Sequence, residues 1–75
     1  VERVKVQSSN LDSAGYDEAA RTLQIQFKGR GGKEGSVYDY ANVPISVWHD
    51  FLQAPSKGQF FGARVKGLYS TTKIS

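Results

Sequence analysis

Thr22-Leu23-Gln24-Ile25-Gln26-Phe27 decides how this chain folds. Leu23, Ile25 and Phe27 alternate strictly with Thr22, Gln24, Gln26 and Lys28. A repeat of two places the three apolar side chains on one face and the polar ones on the other, which is the signature of a half-buried β-strand. Working outward, Asp17 to Arg21 reads as a hairpin connection, and Leu11 to Tyr16 before it as a second strand weakened by Gly15. The polar, glycine-rich run Lys28 to Gly35 follows as a loop. It leads into Ser36–Ala41, where Val37, Tyr38 and Tyr40 favour strand. Val4 and Val6 alternate with Arg3, Lys5 and Gln7, so Val1–Gln7 is expected as a further strand, joined through the turn chemistry of Ser8-Ser9-Asn10.

The period changes after Ala41. Pro44 suits the first turn of a helix, and Val47, Trp48, Phe51 and Leu52 follow at helical spacing. Pro55 ends that helix. Ser56 is then a good N-cap for a second helix, with Gln59 three residues on in a capping-box pattern, and Gly67 as a stop. Leu68 to Ile74 either adds a short strand or trails as a tail. The fold class is α+β: a small antiparallel β-meander of three to four strands, then two short helices packed on one face. The expected core is Leu23, Ile25, Phe27, Trp48, Phe51, Phe61 and Val65.

The 75 residues read as one domain, 1–75. Such a small chain buries only about 60% of the surface it exposes when unfolded. With no Cys and one His, disulfides and a zinc site are not available to reinforce it. No apolar stretch approaches the ~20 residues of a membrane span, and no signal peptide is evident. A cytoplasmic location with no membrane association is expected. Homo-oligomerisation is one route to added stability.

Charge is concentrated at one end. From Pro55 onward there are four basic residues (Lys57, Arg64, Lys66 and Lys73) and no acidic one, while the earlier part holds six basic and seven acidic residues. The net charge of +3 therefore arises in the second helix and beyond. On a helix, Lys57 and Arg64 fall on one line, with Phe60 beside it. Cations bind phosphate and aromatic faces stack on bases, so Ser56, Lys57, Arg64 and Lys66 are candidate phosphate contacts and Phe60 a candidate stacking residue. The alternative is that Phe60 packs against the sheet and the cations form a solvated face. Gly58, Phe61, Gly62 and Val65 make a neighbouring stripe expected to pack closely on the first helix or the sheet.

Tyr38 and Tyr40, two apart on a strand, share a face. They form a stacking platform if that face is open and core if it carries the helices; a third outcome packs the rings and leaves the hydroxyls on a pocket. Gly29–Gly35 resembles a phosphate loop only in part, since Lys33 is followed by Glu34 rather than Ser or Thr; Arg30 and Lys33 could still attract a polyanion. His49 is alone, with no second His and no Cys to build a metal or nucleophilic centre. No catalytic residue, metal or cofactor is assigned, and an enzyme is not expected.

The order V-x-S-S-N, A-G-Y-D, L-x-I-x-F, V-Y-D-Y and V-P-x-x-V-W-x-x-F-L-x-A-P-S-K-G-x-F-F resembles the KTSC domain, over roughly Val4 to Tyr69. That family is named for a C-terminal domain of some lysyl-tRNA synthetases and also occurs as stand-alone proteins of bacteria and phages. The resemblance implies a compact domain for which RNA binding has been suggested; aminoacylation does not follow from it. The expected function is thus a non-enzymatic nucleic-acid module, RNA before duplex DNA. One alternative is binding or sequestration of a small phosphorylated nucleotide by a phage- or bacteria-encoded oligomer. The other is a protein-interaction module with an acidic partner.

Overall fold

The computed structural model describes residues 1–31 and 35–75. Residues 32–34, with Lys33 and Glu34, lie outside the described residues. Five strands, β1 (Val4–Lys5), β2 (Leu11–Asp17), β3 (Thr22–Phe27), β4 (Val37–Tyr40) and β5 (Thr71–Lys73), form one antiparallel sheet in chain order. Between β4 and β5 lie α1 (Ile45–Gln53) and α2 (Lys57–Arg64). The antiparallel sheet followed by two helices is the α+β architecture expected. The segment after Gly67 is the fifth strand, pairing Thr71 with Tyr40 and Lys73 with Tyr38.

The alternation in β3 works as read. Leu23 and Ile25 are completely buried against the helices, while Gln24 faces the opposite side and donates to Asp39 at 2.9 Å. That outer face carries its own polar pairs. Ser13 and Gln26 are both buried and joined at 3.0 Å, and Arg3 Nε reaches Ser13 Oγ at 3.0 Å. The N-terminal segment lies close over this face at Gly15, where a Cβ would fall 2.3 Å from the Glu2 carbonyl oxygen. That approach accounts for a glycine in mid-strand.

Turns set the connections. Asp17 Oδ1 accepts the Ala20 N–H at 3.2 Å, and Arg21 takes a left-handed φ of +51° to close the β2–β3 hairpin. The chain then leaves β4 through Asn42, also left-handed at +59°. Val43 is held from two sides: its N–H donates to the Arg21 carbonyl at 2.8 Å, and its carbonyl accepts from the Tyr16 hydroxyl. Pro44 sits at the N-cap, one place before the first helical residue. Gly67, at φ +78°, turns the chain away after α2.

The core lies between the helices and one face of the sheet: Leu11, Ala14, Leu23, Ile25 and Tyr40 below, Val43, Val47, Phe51, Phe61 and Val65 above. Two expected core residues differ. Trp48 and Phe27 are half-buried, packed against the cluster rather than inside it. Leu52 is 42% exposed. Val47 and Phe51, one turn apart, point straight inward; Trp48 and Leu52 are each about 100° further around the helix and end on its flank. Trp48 is still useful there, stacked at 6.0 Å on Tyr16 and 5.9 Å on Phe51. The first strand is also shorter than expected. Only Val4 and Lys5 have the ladder geometry, and Val1 and Val4 are exposed.

Candidate functional site

A cleft of about 760 Å³ opens where three parts of the chain meet. Asn10, from the turn before β2, forms one end. The start of the β3–β4 loop (Phe27, Lys28, Gly29 and Arg30) and its return at Gly35 and Ser36 form one side, and Gly58, Phe61, Gly62 and Lys66 along α2 form the other. Tyr38 and Tyr40 lie beneath.

The aromatic floor follows from β4. Residues two apart share a face, and here that face carries the helices. Tyr40 is 4% exposed and Tyr38 half-buried, so neither is an open stacking platform. Both nevertheless line the cleft. Their rings belong to a connected edge-to-face set: Phe27 meets Tyr38 at 5.6 Å and Phe61 at 5.5 Å, and Phe61 meets Tyr40 at 5.5 Å. Such contacts hold the rings in fixed orientations. Burial, with a smaller contribution from the neighbouring Tyr38, pushes the Tyr40 phenol up to about 12. Its hydroxyl is therefore neutral at physiological pH, able both to donate and to accept.

Above that floor the cleft is cationic. Lys28, Arg30 and Lys66 are in the lining, and no carboxylate is present among the described lining residues. The arrangement can neutralise a phosphate at the rim while apolar ring edges take a flat group below.

The structure divides the residues singled out from the sequence. Lys66, Tyr38 and Tyr40 converge on the cleft; Ser56, Lys57, Phe60 and Arg64 are not in its lining. Ser56 Oγ accepts the Gln59 N–H at 3.3 Å as the N-cap of α2. Lys57 Nζ donates to the Leu52 and Ala54 carbonyls at 3.0 and 2.7 Å, closing the end of α1. Phe60 rests edge-on against Phe51 at 6.0 Å, and the Arg64 guanidinium lies 5.4 Å above its ring. Lys57 and Arg64 do share a helix line, but Lys57 folds back on α1.

The glycine stripe behaves differently from expectation. Phe61 and Val65 are buried as read. Gly58 packs neither on α1 nor on the sheet; a Cβ there would meet Asn10 Oδ1 at 2.8 Å and Ser8 Oγ at 3.0 Å, so it abuts the turn before β2. At Gly62 a Cβ would meet nothing within 4 Å, since that position opens on the cleft. Sequence reasoning did not assign Asn10, Lys28 or Ser36 to a site. The Ser-Ser-Asn cluster was visible, but its approach to α2 depends on a contact between residues almost fifty positions apart. Among the described residues no group of three or more His, Cys, Asp or Glu side chains could hold a metal, and no helix is long and apolar enough to cross a membrane.

Comparison with known proteins agrees with this architecture. A lysine–tRNA ligase of Nostoc punctiforme is 38% identical over 72 residues, covering 96% of this chain but only 12% of the ligase. The chain thus spans a small fraction of the length of the curated ligases it matches. A protein of Tsukamurella paurometabola is 41% identical over 69 residues, covering 92% of this chain and 96% of its own. The crystal structure of a KTSC domain protein from Yersinia pestis superposes with a TM-score of 0.88 at 39% identity, covering 99% of this chain and 97% of that one. The model of the KTSC domain matches residues 7–69, from the turn before β2 to the approach of β5, and so takes in both walls of the cleft. The chain belongs to the KTSC domain family.

Proposed function

We propose that this domain binds single-stranded RNA without turning it over, taking one nucleotide unit into the cleft between α2 and the β3–β4 loop. The observation that carries this reading is the lining itself: three cations, no carboxylate among the described residues, and a floor of ordered aromatic rings. Phosphate supplies the charge complement and a base the flat group. The cleft is open to solvent rather than sealed, which leaves room for a strand that continues past it. Arg64 over Phe60 offers a flanking contact outside the cleft for the same strand. The lysine–tRNA ligases that match this chain are named for a tRNA, which accords with an RNA partner.

The test is fluorescence anisotropy with short labelled RNAs over a range of salt. Three phosphate contacts by Lys28, Arg30 and Lys66 imply that log K falls with log salt at a slope of about −2 for a single strand. Replacing any one of them with Ala should weaken binding across sequences and lower that slope by just under one. A free nucleotide presents the same phosphate-plus-base chemistry. If mononucleotides raise the melting temperature while RNA does not bind, the ligand is the free nucleotide. If neither binds at low salt, the proposal fails.

A further inference from the structure

Asn10 is the only amide side chain in the cleft lining among the described residues. An asparagine amide can usually turn over, offering either its oxygen or its nitrogen to a ligand. Here the local hydrogen bonds remove that choice. Ser8 Oγ accepts two backbone N–H groups, from Asn10 at 3.3 Å and from Leu11 at 3.2 Å. Both of its lone pairs are thereby used, so its single proton must go to the side chain 2.9 Å away, and only an oxygen there can accept it. Asn10 Oδ1 is the atom bonded to Ser8, which leaves Nδ2 outside that bond.

Gly58 lies close to the same oxygen. A Cβ on Gly58 would fall 2.8 Å from Oδ1, so the start of α2 runs close beside the amide, with room for it only because the residue is glycine. With Oδ1 engaged by Ser8, Nδ2 is the amide atom with no hydrogen-bond partner of its own among the described residues, and it is left to donate to a ligand. The three cations of the lining are sufficient for phosphate, which leaves this neutral, orientation-locked group for the edge of a base.

We propose that Asn10 determines base specificity in the cleft, donating from Nδ2 to a keto oxygen and rejecting bases that present an exocyclic amine at the same position. Uracil and guanine carry such an oxygen, at O4 and O6; cytosine and adenine carry an amine there, which sets a second donor against the Nδ2 donor. This inference rests on the RNA-binding reading above.

The experiment compares short labelled oligouridylate and oligocytidylate, two pyrimidine strands of similar size, with the full chain. The parent should prefer oligouridylate by about tenfold, the low end of what one good base contact contributes. Asn10→Ala should bring the two affinities together, chiefly by weakening the uridylate complex. Gly58→Ala is the second variant. Its methyl group must displace the Asn10 amide without removing it, and Ala suits a helix better than Gly, so this variant keeps its fold and should also lose the preference. A uniform loss of affinity for both strands in Asn10→Ala would mean a phosphate or structural role and would overturn the proposal. So would an unchanged preference in either variant. A parent that binds strands but does not distinguish them overturns the role of Asn10 alone, while a parent that binds no RNA overturns the RNA-binding reading as well.

Discussion

Gly62→Ala should make this domain more stable, and the reason is geometric. Gly62 lies inside α2, and its φ is not in the left-handed region, unlike Gly67 at +78°. A Cβ built there meets no atom within 4 Å. Alanine can therefore adopt the native conformation without strain, and two effects favour it: a less flexible unfolded chain and a higher helix propensity. Together they amount to about 1 kcal/mol. For a domain of this size that corresponds to a rise of roughly 4–8 °C in Tm. Thermal melts followed by circular dichroism would measure it. Gly62→Gln extends the comparison, because glutamine is also a good helix former but carries a longer side chain from the same open position over the cleft. The glutamine variant should gain stability over the parent yet bind RNA more weakly, with the alanine variant near parent affinity. A lower Tm for Gly62→Ala would refute the claim that the position is open. Parent-like binding by Gly62→Gln would show that the ligand does not lie along this face of α2.

The remaining predictions concern the core, the cations and the phenols. Phe51→Ala, which empties a completely buried site, should cost about 3–5 kcal/mol in urea unfolding, a large share of the stability of so small a domain; Trp48→Ala should cost less, because Trp48 is only half-buried, and the reverse order would show that the two were misjudged. Lys57→Ala should lower stability, since Lys57 Nζ closes the end of α1 through two carbonyls, and leave RNA affinity nearly intact, whereas Lys66→Ala should do the opposite; melts and anisotropy on the same two variants decide it. Tyr40 holds its proton up to about 12 in the folded state, against an ordinary value of 10. Its contribution is therefore complete below pH 10 and is lost as pH rises toward 12, because the unfolded chain releases that proton first. Stability measured over that range should fall more steeply for the parent than for Tyr40→Phe, and equal slopes would count against the burial of this hydroxyl.

The sequence by itself determined the three central strands, the two helices and their order, but left open whether the segment after Gly67 is a strand. The alternation of Leu23, Ile25 and Phe27, the shift to helical spacing at Val47 and Phe51, the Ser56 N-cap and the Gly67 stop are local signals. Each depends on a few neighbouring residues, and the strand, the helices and the Ser56 cap appear where the pattern put them, although Phe27 is only half-buried and α2 ends at Arg64, short of Gly67. The order of motifs also sufficed to indicate the family. The cleft was not legible in the same way. Helical geometry correctly put Lys57 and Arg64 on one line but could not show that Lys57 would turn back to the carbonyls of α1. Period two correctly put Tyr38 and Tyr40 on one face, but whether that face was open depended on where α2 came to rest. Asn10 and Gly58 meet only because the helix that follows four strands returns across the turn that precedes the second. Local spacing governs what each segment becomes, and burial of the shared apolar face governs which distant segments touch; the cleft is made entirely of contacts of the second kind.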